Sequence, residues 1–145
     1  MKLSTRTRYG IRAAIELAKH YGQGPVQIKV IGEKQAISVK YLEQLMAMLK
    51  AGGFIHSVRG SKGGYVLARE PEQIRMDELV LSLEGSISTA ECVEDGGFCA
   101  RAADCAARDL WTRVQEAVLD VLKSVTLKDL VENTKSKHQA LSYTI

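Results

Sequence analysis

Three cysteines, Cys92, Cys99 and Cys105, fall within fourteen residues of a 145-residue chain that has no others. They sit in the run Cys-Val-Glu-Asp-Gly-Gly-Phe-Cys-Ala-Arg-Ala-Ala-Asp-Cys, spaced as Cys-x6-Cys-x5-Cys. Structural thiols usually scatter along a chain, whereas clustered ones suit one shared inorganic centre. Thiolates are soft ligands that select zinc, copper(I) or iron–sulfur clusters. Structural zinc sites carry a close Cys-x2-4-Cys pair. None is present here, so the spacing favours an iron–sulfur cluster, and Gly96-Gly97 gives the loop freedom to fold back around it. An odd number of thiols argues against a disulfide framework. Redox catalysis lacks both a Cys-x-x-Cys pair and a neighbouring histidine, since His20, His56 and His138 are all distant in sequence. The bland alternative is three incidental thiols in an acidic loop. Three ligands leave a fourth position to another residue, a partner chain or solvent.

The elements that must position this loop follow from hydrophobic period. From Thr7 to Tyr21, apolar residues at 9, 11, 14, 15, 17, 18 and 21 recur at helical spacing and stop at Gly22 to Pro25. A short second helix fits Ile28 to Gln35, followed by an Ala36-Ile37 turn. Ser38 then caps a third helix, Val39 to Ala51, with Leu42, Leu45, Met46 and Leu49 on one face and Gly52-Gly53 at its end. Helix, short helix, tight turn and helix make a helix-turn-helix. The period then changes. Residues 54–58 and 65–68 read as two strands joined by Arg59-Gly60-Ser61-Lys62-Gly63-Gly64, a basic, glycine-rich wing. A phosphate-loop reading of Gly60-x-x-Gly63-Gly64 fails, because no Gly-Lys-Ser/Thr ending is present and the segment does not open a helix.

Asp77 to Leu83 forms a fourth helix, and residues 86–103 read as a cysteine-bearing loop. Asp104 to Leu122 is a long amphipathic helix with Leu110, Trp111, Val114, Val118, Val121 and Leu122 to one side. Standing outside the winged unit, such a helix needs a second surface to bury it, and a second copy of the chain is the simplest supplier. Thr126-Leu127-Lys128-Asp129 resembles a capping box for a short helix to about Glu132, and residues 133–145 read as a flexible tail. The expected class is mainly α with a small β-wing. Its parts are a winged helix-turn-helix domain over 1–85, a loop over 86–103 and dimerisation elements over 104–132.

In a helix-turn-helix, the second helix enters the major groove by its N-terminal turns. The exposed positions there are Ser38, Lys40, Tyr41, Glu43 and Gln44. Gln44 can pair bidentately with adenine, Glu43 can accept from a cytosine amino group, and Lys40 and Tyr41 suit phosphates or bases. Arg59 at the wing can slip into a narrow minor groove of enhanced negative potential, with Lys62 on phosphate nearby. Charge agrees with this division. Residues 1–65 hold eleven Lys/Arg against three acids, a net of +8, and the remainder holds nine against fourteen, a net of −5. A basic half attracts a polyanion, with salt-dependent binding through counterion release. The chain carries no apolar run long enough to span a membrane and no signal-peptide stretch, so a cytoplasmic protein is expected. No small-molecule substrate is implied.

Four ordered motifs resemble the IscR branch of the Rrf family of bacterial regulators. They are Met1 to Gly10, Ile37 to Leu45, Val58 to Tyr65, and the cysteine loop running to Leu110-Trp111. The resemblance covers residues 1 to about 132. It implies a non-enzymatic homodimeric repressor that binds double-stranded, palindromic operators and senses iron–sulfur status, controlling cluster-assembly genes. It also implies a cluster, [2Fe-2S] rather than [4Fe-4S], on Cys92, Cys99 and Cys105. By the same likeness, Lys40, Glu43 and Gln44 fall at base-contacting positions and Arg59 at the minor-groove position. Two departures stand out: Arg108 occupies the place of the histidine ligand, and Arg8 that of the aspartate used by nitric-oxide-sensing relatives. The competing expectation is a cluster-free regulator of the same fold, gated by a partner protein or by thiol redox state.

Overall fold

The computed structural model describes residues 1–143. The first helix, α1 (Thr5–Lys19), begins earlier than its apolar period suggests, because Ser4 caps it by accepting the Thr7 N–H. Ser4 and Thr7 are in turn held by Glu84, eighty residues away, a contact that local spacing cannot reveal. Helices α2 (Ile28–Gln35) and α3 (Val39–Ala51) follow with the expected bounds. Strands β1 (Ile55–Val58) and β2 (Gly64–Leu67) form an antiparallel hairpin with Ile55 opposite Leu67 and Val58 opposite Gly64. A 3-10 turn at Pro71–Gln73 leads into α4 (Met76–Glu84).

Beyond α4 the chain runs along the rim of the core, which Ile87 still enters and against which Val118, Leu119 and Leu122 pack. The segment expected as an unstructured loop contains one helical turn, α5 (Glu91–Glu94), and a 3-10 turn at Ala102–Asp104. Helix α6 (Ala106–Ser124) then runs for 19 residues with no buried residue, a length of roughly 28 Å at 1.5 Å per residue. The last helix, α7 (Leu127–Tyr143), departs from expectation, extending through most of the segment read as a flexible tail; residues 144 and 145 of that segment lie outside the described residues.

Two causes fix α7. Its N-terminus is closed reciprocally: Asp129 accepts from the Thr126 N–H at 2.8 Å, and the Thr126 hydroxyl accepts from the Asp129 N–H at 3.3 Å. Leu127, fully buried, and Val131 enter the same core as α1. Burying one such leucine contributes about 2 kcal/mol. Short bridging bonds also bind the start of α7 to the start of α4, with Met76 N–H to the Val125 carbonyl and Leu127 N–H to the Ile74 carbonyl, both 2.9 Å. The unit over 1–85 is therefore completed by residues from the far end of the chain. Its core joins Leu17, Ile31, Leu42, Leu45, Met46, Leu49, Ile55, Ile74, Leu79 and Leu83 to Leu127.

Candidate nucleic-acid interface and cysteine loop

Helix α3 divides cleanly. Leu42, Leu45, Met46 and Leu49 are buried, while Lys40, Glu43 and Gln44 are exposed. The Ser38 side chain accepts the Tyr41 N–H at 3.2 Å, satisfying a free donor of the first turn. Tyr41 is only half exposed; its ring meets Tyr9 of α1 edge-on, with centroids 6.0 Å apart and planes at 81°. Of the five positions predicted on this helix, Tyr41 is thus partly occupied by packing.

The wing projects beside α3. Arg59 and Lys62 are both exposed. Gly60 takes φ +116°, a conformation that side chains other than hydrogen rarely adopt. At the loop end of the hairpin, a Cβ on Gly64 would lie 2.3 Å from the Val26 carbonyl oxygen, because Tyr65 and Val26 exchange two backbone hydrogen bonds of 2.9 Å. The wing is thereby stitched to the residue two places before α2. Lys50 of α3 also donates to the Ser57 hydroxyl at 3.0 Å. Sequence reasoning found the hairpin and missed this third strand-like contact, for which Val26 gives no local signal.

The turn between α2 and α3 is also held from behind. Ala36 adopts φ +53°, the left-handed region, and is the one non-glycine residue that does so among the described residues. Just before it, the Gln35 carbonyl accepts from Arg12 Nη2, and Gln35 Oε1 accepts from Arg12 Nε at 2.9 Å. Gln35 Nε2 donates to Glu16 Oε1 at 2.7 Å, and Lys19 donates to the same oxygen at 2.9 Å. Burial opposes the Glu16 charge, yet the hydrogen bonds from Lys19 and Gln35, with the Lys19 and Lys34 charges, hold its carboxyl below the usual carboxylate value. The Arg12 guanidinium lies 5.1 Å from the Tyr9 ring centroid. Sequence reasoning placed Gln35 at the end of the second helix, Ala36 in the turn and Tyr9 on the apolar side of the first helix, but missed the links from Arg12, Glu16 and Lys19.

The cysteine loop lies along α6. Thr89 donates its hydroxyl to the Trp111 carbonyl at 2.8 Å, and Arg108 Nε donates to the Cys92 carbonyl at 2.8 Å. Cys92 sits in α5, Cys99 between the two short turns, and Cys105 at the N-cap of α6. All three are half-buried free thiols. Their chemistry suits a soft metal centre, but among the described residues no group of three His, Cys, Asp or Glu side chains is placed to hold a metal ion. The structure does not bring the predicted ligands together, and Arg108, which the resemblance sets where a histidine ligand was expected, is engaged with loop backbone. No described helix is long and apolar enough to cross a membrane.

Residues 3–133 match the Rrf2 family, described as an iron-dependent transcriptional regulator. The chain is 42% identical over its full length to the HTH-type transcriptional regulator CymR of Bacillus subtilis (strain 168), all of which is covered. The solved structure of CymR, the global cysteine regulator of B. subtilis, superposes with a TM-score of 0.79 at 43% identity, covering 92% of this chain and 98% of that one. IscR of T. potens does so with a TM-score of 0.76 at 38% identity, covering 92% and 88%. With its helix-turn-helix, its wing and a match over nearly its whole length, the chain belongs to the Rrf2 family of winged-helix transcriptional regulators, whose matched members are not enzymes.

Proposed function

We propose that this regulator is a cytoplasmic homodimeric repressor that reads a palindromic double-stranded operator, inserting α3 in the major groove and the wing in the minor groove. The observation that carries this reading is the division of α3. One face is spent on the core, and Lys40, Glu43 and Gln44 are left outward beside a hairpin presenting Arg59 and Lys62. Ser38 and Tyr41 flank the same turn. Dimerisation through α6 would set two such heads at half-sites about one helical turn, ~34 Å, apart.

The test is anisotropy binding to a duplex enriched by the protein from a random-sequence library. Gln44→Ala is expected to relax preference at one base pair, at a cost of ~1–3 kcal/mol. Arg59→Ala is expected to weaken binding and abolish any preference for a narrow minor groove. Unchanged binding by both variants would overturn the reading.

For the signal, we propose an iron–sulfur cluster on Cys92, Cys99 and Cys105, [2Fe-2S] rather than [4Fe-4S], with cluster-assembly genes as targets. The donor set and the likeness to IscR of T. potens support it. The thiols are not grouped to hold a metal in the described geometry, so the 92–105 loop would have to draw together around the cluster. A second reading is supported by the full-length likeness to CymR, a cysteine regulator: there the thiols are not cluster ligands, and a partner protein or thiol redox state supplies the signal.

A further inference from the structure

We propose that Arg12 is a positioning residue for DNA recognition, fixing the angle between α2 and α3 from behind without touching DNA. This rests on the DNA-reading proposal above. The last carbonyls of a helix lack intrahelical donors. At the end of α2, Arg12 supplies one to the Gln35 carbonyl and a second bond to the Gln35 side chain. Gln35 is held at its other end by Glu16, itself only 2% exposed. The side chain is thus pinned at both termini immediately before the left-handed Ala36. On the far limb, the same guanidinium covers the Tyr9 ring, and Tyr9 meets Tyr41 in the first turn of α3. One cation therefore engages the end of α2 directly and the start of α3 through one ring.

The turn itself leaves little slack. Ile37 N–H bonds to the Gly32 carbonyl at 3.1 Å, and a Cβ on Gly32 would come within 2.9 Å of the Ile37 oxygen. What the tight turn does not fix is the swing of α3 about it, and the aromatic contact resists that swing. The planar fork of arginine can serve two acceptors and a ring face at once; a lysine ammonium cannot.

The experiment compares wild type, Arg12→Met, Arg12→Lys, Gln35→Ala and the Arg12→Met/Gln35→Ala double variant. Each is titrated against the enriched duplex and a scrambled duplex over a salt series, below the melting temperature of each variant. Arg12→Met is expected to lose about tenfold in preference for the enriched duplex, within the range one misplaced base contact costs. Affinity for the scrambled duplex and the slope of log K against log salt should stay unchanged. Arg12→Lys should not restore the preference, and the double variant should lose less than the product of the single losses.

Weakening on both duplexes with a shallower salt slope would mark Arg12 as a phosphate contact and overturn the proposal. Full rescue by Arg12→Lys, or multiplicative losses in the double variant, would overturn it as well. Should Arg12→Met fail to fold, Arg12→Lys and Gln35→Ala carry the same comparison, and preserved preference in both overturns it. If wild type discriminates and the Arg12 variants discriminate equally, only this inference fails. If wild type does not discriminate, and Gln44→Ala and Arg59→Ala change nothing, the DNA reading fails and takes it along.

Discussion

Glu84 shows how much one carboxylate can organise. Its Oε2 accepts from the Thr7 hydroxyl, from the Ser4 hydroxyl at 2.8 Å and from the Ser4 N–H at 3.2 Å, while Arg6 Nε donates to the Leu83 carbonyl at 2.7 Å. The Thr7 hydrogen bond is the chief cause that holds the Glu84 carboxyl below its ordinary value, with Ser4 and the Arg6 charge adding to it against some desolvation. A depressed carboxylate stabilises the fold above its unfolded value, and that contribution disappears as pH falls through the folded one. Thr7 is fully buried, so Thr7→Val keeps the shape and removes the hydroxyl that donates to Glu84 and accepts from Ser4 at 3.3 Å. The expected loss is about 1–2 kcal/mol at neutral pH, read from urea unfolding. The gap between variant and wild type should narrow as pH falls from the ordinary glutamate value of about 4.3 through the lower value of the folded carboxyl. A gap that stays the same throughout that fall, down to the acid limit of the folded state, would assign the loss to packing. Neither partner announces this link in sequence: Thr7 opens the apolar period of the first helix, Ser4 lies before it, and Glu84 falls just past the fourth helix as read over Asp77 to Leu83.

At the scale of elements, α3 was legible because its four buried residues repeat at 3.6-residue spacing, and the wing because its glycines and change of period are local. Helix α7 was legible only to about Glu132, since residues 133–143 carry no apolar stripe and continue a helix anchored by Leu127 and Val131 in the core. Helix α6 poses the opposite case. Its stripe is plain in sequence, yet Leu110, Trp111, Val114 and Val121 remain between 40% and 62% exposed in the single chain. Contiguous apolar surface on that scale marks an interface. Trp111→Asp is expected to leave the circular dichroism of the chain intact while shifting sedimentation from dimer to monomer. Operator affinity should then fall at least tenfold, since two linked heads no longer bind together. A dimeric Trp111→Asp protein would place the interface elsewhere.

For the molecule as a whole, the proposed signal has to pass from the cysteine loop to the DNA-reading half. The contacts that lay this loop along α6, Thr89 to Trp111 and Arg108 to Cys92, bracket the cysteines, and α7, continuing from α6, lines one cleft with Arg12 and Gln35. Protein prepared without oxygen is expected to absorb visible light, with the bands lost on Cys92→Ala and operator preference changed in parallel. A colourless protein whose binding ignores all three cysteine substitutions would leave the cysteine-regulator reading. The triad and its spacing were plain in sequence; their separation in space was not, because loop geometry depends on Arg108 and Thr89 reaching partners 16 and 22 residues away. The docking of α7 has one more consequence, for the order of synthesis. The unit that reads DNA is closed by Leu127 and Val131, made after the helix that stands outside it. A nascent chain therefore exposes α6 while its winged unit still lacks a wall, so domain-by-domain folding during translation is denied to this reading head, and a premature stop after α6 removes a piece of the head itself.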